Sequence, residues 1–493
     1  MNRAPLDSDR STSWRLAMAR TYFGAFVAAL LCVACHDWLT VPPLNDPTPG
    51  DVGKNPLAGL QLTAKGILFQ NRATYAGYIS DVGIFGRESY NYFTTDGRTH
   101  SHYVAQNPLD PAGFASGGWG PQSRYQNLRN VVNFLAAVDG ATSISPGSRE
   151  AARGFGKTME ALELSYITAQ RHDYGALVEM KADPTVLAPF VSRDSVHNYI
   201  IGRLDEARAH LLAADPAFPF KLHAGFTTNG TYSTPATFLQ FNRAIYARVQ
   251  AWRAALGNAA CGAAPGVTCY NAALTALTEA GVDTTASLSR GVYHIFSTDP
   301  GDILNRLNQT TDQNLLAHPS IQADAPLDTL GQPDLRYQAK IRTFTPCRPP
   351  VSGGGLCTTF GFQMYPTNTS PAPIFRNEEL ILLQAEALYF TGNAAGALAD
   401  INFIRRHSGG LAARGAFVDA NDFVTELLLQ RRYSLLWEGH RWVDVRRFGR
   451  ISTLPLDAPT HFRQVEQPVP QAECLQRVGS ALACPASWPI PVP

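Results

Sequence analysis

The sequence predicts a mostly helical fold: a scaffold of tetratricopeptide-like helical hairpins that carries irregular loops and a few short strands. Three observations support this. First, Leu380, Leu383, Ala387 and Phe390 recur at helical spacing before Gly392-Asn393, and Ala397, Ile401 and Ile404 resume it afterwards. Two helices joined by so short a turn lie antiparallel. Second, Ala251 to Leu277 has the same grammar, with Gly257-Asn258 at the turn and an insert holding Cys261 and Cys269. A hairpin of this kind buries its apolar face only by stacking on neighbours. Third, the helical signal lapses from Thr284 to Phe375, where VYHIF and QAKIRTF read as short strands within Gly-, Pro-, Asn- and Thr-rich chain.

The N-terminus reads as an export signal. Arg15 and Arg20 precede an uncharged run from Tyr22 to Ala34, shorter than the roughly 20 residues a spanning helix needs and suited to a signal-peptide core. Ala34-Cys35 resembles a lipobox ending, with Cys35 as the lipidated first residue of the mature chain, although Cys32 stands where leucine is usual. Residues 36–51 hold four prolines and read as a stiff extended tether. The chain divides into a signal peptide at 1–34, a lipid-anchored tether at 35–51 and one body at 52–493. Within the body, helical hairpins fill 52–283, the irregular loop and strand region 284–375, and the C-terminal region 376–493.

Helical periodicity begins near Val52 and runs to about Gln70, and a second candidate helix ends at Ile84. An aromatic-rich loop follows, and Trp119 leads into a helix marked by Tyr125, Leu128 and Val131. The next helix spans about Arg149 to Arg171 and stops at Asp173-Tyr174-Gly175. Asp194 reads as the cap of a helix whose Val196, Ile200, Leu204, Ala207 and Leu211 share one face. Thr234-Pro235 starts another through Phe238, Ile245, Val249 and Trp252. Asn421 reads as the N-cap of a helix running toward Gly439.

Bulk properties exclude some functions. With 493 residues, 45% of them hydrophobic, the chain has ample material for a large core. Its net charge is +1, and since residues 1–34 hold four Arg and two Asp, the remainder carries −1. No basic field exists to hold nucleic acid. Cys261 and Cys269, Cys347 and Cys357, and Cys474 and Cys484 sit in close pairs. In an exported chain these read as three local disulfides; their spacing matches no C-x-x-C zinc pair.

The catalytic motifs H-E-x-x-H, G-x-S-x-G and G-x-x-x-x-G-K-[ST] are absent, and no cofactor or metal is expected. Glu438, His440, Arg441, Asp444 and Arg447 group acid, base and anion-binding types within ten residues. On a helix, Glu438–Arg441 and Arg441–Asp444 are i,i+3 ion pairs, so Glu438, Arg441, Asp444 and Arg447 are read as a structural network. His100 and His102 would share the face of a strand but lack a third ligand, and are read as solvated. Tyr90, Tyr92, Phe93, Tyr103 and Trp119 in the first loop, with Tyr293, Phe362 and Tyr365 in the second region, are the candidate ligand contacts, because a sugar ring stacks its C–H face on such rings.

An AEA…GN…A…N-x-I-R hairpin followed by R-x-x-x-L-x-x-E-G-H-R-x-x-D-x-R-R, here over Arg376 to Arg450, resembles the C-terminal signature of the SusD/RagB family. Gln430 stands where the family usually has Glu. Asp334-Leu335-Arg336 and Pro468-Val469-Pro470-Gln471-Ala472-Glu473 are similar to further family segments, as is the proline-rich start after Cys35. The resemblance implies a SusD-like fold and a non-catalytic lipoprotein on the outer face of the outer membrane. It implies capture of nutrients, usually glycans, as the lid of a TonB-dependent (SusC-like) transporter, with the membrane touched through the lipid anchor only. It places ligand contacts in loops of the two aromatic regions and leaves oligosaccharide and peptide ligands both open. The alternatives are a secreted helical-fold glycoside hydrolase and a repeat scaffold that binds only protein.

Overall fold

In a computed structural model of the chain, residues 55–91, 97–98, 100–113, 124–181, 183, 185–309, 315–348, 357–480 and 482–484 are described. The expected signal peptide, Cys35 and the expected tether lie outside them.

The body is an array of antiparallel helices. It comprises α1 (Pro56–Ala73), α2 (Tyr75–Phe85), α3 (Arg124–Gly140), α4 (Pro146–Arg171), α5 (Arg193–Leu212), α6 (Pro235–Ala255), α7 (Val267–Ala280), α8 (Ser320–Ala323), α9 (Leu335–Lys340), α10 (Asn377–Phe390), α11 (Ala394–His407), α12 (Ala420–Ser434), α13 (Arg441–Arg447) and α14 (Gln471–Leu475). Successive helices from α3 to α7 pack side by side, and α10 continues the stack beyond α7 with α11 against it. This is the stacking that the repeat-like hairpins need.

Caps and faces explain the boundaries. Ser145 accepts the Ser148 amide at the start of α4. Thr234 and Thr237 form a reciprocal capping box ahead of Pro235. Two expected caps are displaced: α5 is capped by Ser192, with Asp194 in its first turn, and α12 by Asp419 rather than Asn421. The predicted face of α5, from Val196 to Leu211, is buried. Helix α10 is buried on both sides. Leu380, Leu383 and Ala387 join the main core, while Ile381, Leu382 and Ala385 join a second core with Ala397, Ile401 and Ile404 of α11. The α10–α11 turn needs Gly392 at φ +94°, a conformation glycine adopts without steric cost, and Asn393 then caps α11.

Strands hold the irregular region. Strands β1 (Ser89–Asn91), β5 (Leu315–Ala317), β7 (Thr358–Phe362) and β6 (Ile341–Arg348) form one antiparallel sheet in that order. Strand β4 (Gly291–His294) pairs with β8 (Ala372–Arg376), and β2 (Ala176–Leu177) pairs with β3 (Phe190–Val191). QAKIRTF is half strand: Gln338-Ala339-Lys340 finish α9, and β6 begins at Ile341. Disulfides join Cys261 to Cys269, Cys347 to Cys357 and Cys474 to Cys484.

The helix expected to run from Asn421 toward Gly439 stops at Ser434. A turn with Trp437 at φ +59° and Gly439 at φ +83° separates it from α13. A side chain at Gly439 would meet the Tyr78 ring at 2.5 Å, so the close approach of α2 requires glycine there.

Candidate functional site

The four-stranded sheet brings the two aromatic regions together. Strand β1 belongs to the first loop and β5, β6 and β7 to the second region. Ser89, Tyr90 and Asn91 pair with Ala317, Leu316 and Leu315, more than two hundred residues away in sequence. Segments 92–96, 310–314 and 349–356 adjoin these strands and lie outside the described residues. Tyr92, Phe93 and Trp119 also fall outside, as does the side chain of Tyr90.

The other four candidate rings are buried in this structure. Tyr103 stacks on Phe85 at 5.0 Å and donates its hydroxyl to Asp81 at 2.8 Å. Tyr293 donates to the Ser289 carbonyl at 2.6 Å. Phe362 lies flat on Trp437, with ring centroids 4.0 Å apart, and Tyr365 sits 6.1 Å from the same indole. At 2–8% exposure all four are buried and present no open stacking face.

One described pair on this sheet is half-open and was not singled out from sequence. Arg342 and Phe344 alternate on β6, so they share a face. The guanidinium lies over the ring at 4.9 Å and donates to the Gln309 carbonyl at 2.6 Å. A Cβ at Gly361 on the neighbouring strand would come within 2.5 Å of the Phe344 ring, so glycine lets the ring lie across β7. The period-two pattern of IRTF was the available signal.

Beneath the sheet, the polar-aromatic run of Trp437 to Arg447 is a buried ion-pair lattice with pairings that differ from those spacing suggested. Glu438 takes the Arg376 fork at 2.9–3.2 Å rather than Arg441. Asp444 accepts from Arg431 at 2.7 Å and Arg447 at 2.9 Å. Arg447 also grips Glu386 with both terminal nitrogens. Arg248 forks onto Glu379 at 2.6 and 2.7 Å. Arg441 makes neither i,i+3 pair, because Glu438 sits in the turn before α13 and Asp444 is taken by two other arginines; among the described residues it forms no ion pair. Arg336 of the Asp-Leu-Arg segment binds Asp334 and the Ser434 hydroxyl.

This lattice is unsuited to acid–base work. Burial pushes Glu378, Glu379 and Asp444 upward, but Arg376, Arg248 and Arg431 respectively hold each at about 2, so all three stay ionised near neutrality and none can donate a proton there. Burial raises Asp81 to about 6 and Glu88 and Asp400 to about 7, and lifts Asp457 and Glu466 above the ordinary carboxylate range. Asp81 is tied to Tyr103, Gln170 and Gln467, and Glu88 accepts the Trp437 amide.

His100 and His102 do not share a strand face; they lie in a π-helical turn, His100–Val104. His100 Nε2 meets His461 Nε2 at 2.9 Å. No group of three or more potential metal ligands occurs among the described residues, and no described helix is long and apolar enough to cross a membrane.

Comparison with known proteins places these features in a class. Residues 354–479, which hold β7, β8, α10 to α14 and the ion-pair lattice, match the SusD family model. The fold is similar to those of solved SusD superfamily proteins. It is similar to NanU of Bacteroides fragilis (TM-score 0.62, 14% identity, 88% of this chain and 98% of that one). It is similar to surface glycan-binding protein A of Bacteroides uniformis (TM-score 0.62, 14% identity, 85% and 97%). A SusD superfamily protein from Parabacteroides distasonis also resembles it (TM-score 0.61, 15% identity, 87% and 98%). No curated protein matches the sequence. The C-terminal region thus matches the SusD family model, and the fold is similar to that of SusD-like proteins.

Proposed function

We propose that this protein is a surface-exposed, nutrient-binding lipoprotein that captures an oligosaccharide and serves as the lid of a TonB-dependent outer-membrane transporter. The observation that carries the reading is the SusD family match over 354–479, set in a fold shared with a surface glycan-binding protein. The lattice within that match supports a non-catalytic role, since its acids are paired and ionised. Energy for uptake enters through the transporter, so the lid needs only to bind and close.

Ligand contact is assigned to the first aromatic loop and the adjoining sheet, with Tyr92, Trp119 and Phe344 as the stacking rings. Removing a stacking aromatic at a hot spot costs about 2 kcal/mol or more, upwards of tenfold in affinity. Calorimetry against oligosaccharide and peptide panels is expected to show glycan binding without turnover. Trp119→Ala, Tyr92→Ala or Phe344→Ala should weaken it at least tenfold with little change in melting temperature. Release of cleaved glycan by pure wild type would restore the hydrolase reading.

The burial of Tyr103, Tyr293, Phe362 and Tyr365 favours a second reading, a scaffold that binds only protein. Saturable glycan binding lost in the ring variants would reject it.

Anchoring is tested separately. Several acyl chains, at about 0.8 kcal/mol per buried CH₂, hold a protein far more firmly than one. Cys35→Ala is expected to move the protein from the membrane to the soluble fraction; a variant still sedimenting with membranes would refute lipidation at that residue.

A further inference from the structure

A small cavity lies where the C-terminal end of α4 meets α5, α6 and α13, away from the sheet and its aromatic loops. Its ten lining residues include Arg193, Arg446 and Arg447, His172 and His197, and Trp252, and no carboxylate. The room open to a water centre is about 10 Å³, enough for one small guest.

Two lining groups are buried with nothing to bond to. Among the described residues Trp252 Nε1 and His197 Nδ1 have no hydrogen-bond partner, and their residues are only 3% and 2% exposed. The ring centroids lie 6.5 Å apart with the planes tilted by 53°. An indole N–H can only donate, and buried polar groups are ordinarily satisfied. A neutral imidazole with its proton on Nδ1 is a second donor.

The charge around the cavity is positive and incompletely neutralised. Arg193 is paired with Asp173 and Asp194, and Arg447 with Glu386 and Asp444. Arg446 has no carboxylate partner among the described residues. It donates to the carbonyls of Trp442, Val465 and Ala169 and stacks on the Trp442 ring at 3.6 Å. Backbone carbonyls satisfy its hydrogen bonds without cancelling its charge. Burial first, then Arg446 and Arg193, holds His172 at about 2; burial, then Arg193 and Arg253, holds His197 at about 3. Neither histidine therefore adds a cation that a guest would have to offset.

We propose that this cavity is a binding site for a small inorganic monovalent anion of halide size, held by Trp252 Nε1 and His197 Nδ1 in the field of Arg446. An acceptor-only guest answers both orphan donors and supplies the missing negative charge. A water would answer the indole donor but carries no charge to set against Arg446. Such a guest would tie α4, α5 and α6 to α13, and so brace the matched C-terminal region against the helical array.

The test uses the mature chain in potassium bromide or chloride against potassium gluconate at fixed ionic strength. A ligand that binds only the folded state raises the melting temperature saturably. Wild type is expected to show that rise with halide and not with gluconate. Trp252→Phe, which keeps the ring and removes the donor, should shift the half-saturating concentration at least tenfold upward. Crystals of wild type soaked in bromide should show an anomalous peak within hydrogen-bond reach of Trp252 Nε1, and this reading stands even if the variant does not fold. Equal melting in halide and gluconate, an unchanged halide response in Trp252→Phe, or a cavity holding only water in bromide crystals would each overturn the site.

Discussion

Arg447→Ala is expected to cost about 3–5 kcal/mol of stability, the usual penalty for stranding a buried charge by removing its partner. Arg447 is fully buried, and so is its partner Glu386. The guanidinium neutralises Glu386 on α10 with two nitrogens and Asp444 with the third. Removing it leaves two carboxylates in the core with only the Tyr270 hydroxyl at 3.1 Å and Arg431 to answer them. Arg447→Lys is expected to recover little, because a single ammonium cannot span both carboxylates as the planar fork does. The measurement is the denaturant midpoint at unchanged slope, with ligand affinity measured on the fraction that folds. A cost below 1 kcal/mol, or a normal midpoint with abolished ligand binding, would show that the lattice serves the ligand rather than the fold.

The same lattice shows what a sequence can and cannot reveal here. One-faced helices were legible: the buried stripe of α5 and the Thr234-Pro235 start of α6 stand where periodicity and capping put them. Close cysteine pairs were legible because only a few residues separate the partners. Ion-pair partners were not. Spacing assigns i,i+3 partners only on an unbroken helix, and the left-handed Trp437 and Gly439 break this one. The true partners of Glu438 and Arg447, Arg376 and Glu386, lie about sixty residues upstream and are set by how α10 packs. The burial of aromatic residues was not legible for a related reason. A tyrosine in irregular chain carries no periodicity to say which way it faces, so Phe362 looked the same whether it met a sugar or Trp437. Phe344 was easier in principle, since strand alternation pairs it with Arg342.

Acid is expected to destabilise the protein well before its ion-paired carboxylates protonate. His197 and His318 are held at about 3 and His440 at about 4, each chiefly by burial, with neighbouring arginines opposing protonation too. His172 is held at about 2, and His294 lies well below its ordinary value for the same first reason. The unfolded chain protonates all five near pH 6.5, whereas the folded chain takes up these protons only near pH 4 and below. Each therefore contributes stability that is present above pH 6.5 and is lost as pH falls from there toward the folded value. Asp81, Glu88 and Asp400 work in the opposite direction: raised by burial to about 6, 7 and 7, they bind protons in the folded state first and gain stability over part of that window. His100, His223 and His461 are lowered too, and Asp457 and Glu466 raised, so lowered imidazoles outnumber raised carboxyls and unfolding takes up protons on balance near pH 5.5, with about 1.4 kcal/mol lost per pH unit for each net proton. Below pH 4.5 a second loss begins as Glu378, Glu379 and Asp444, depressed to about 2, protonate in the unfolded chain ahead of the folded one. Denaturant midpoints between pH 7 and 3 measure the slope, and His440→Gln should flatten it by up to one proton around pH 5. A midpoint that stays level from pH 7 to pH 5 would mean that these imidazoles are not held neutral by the fold, and that the interior around α13 is open to water.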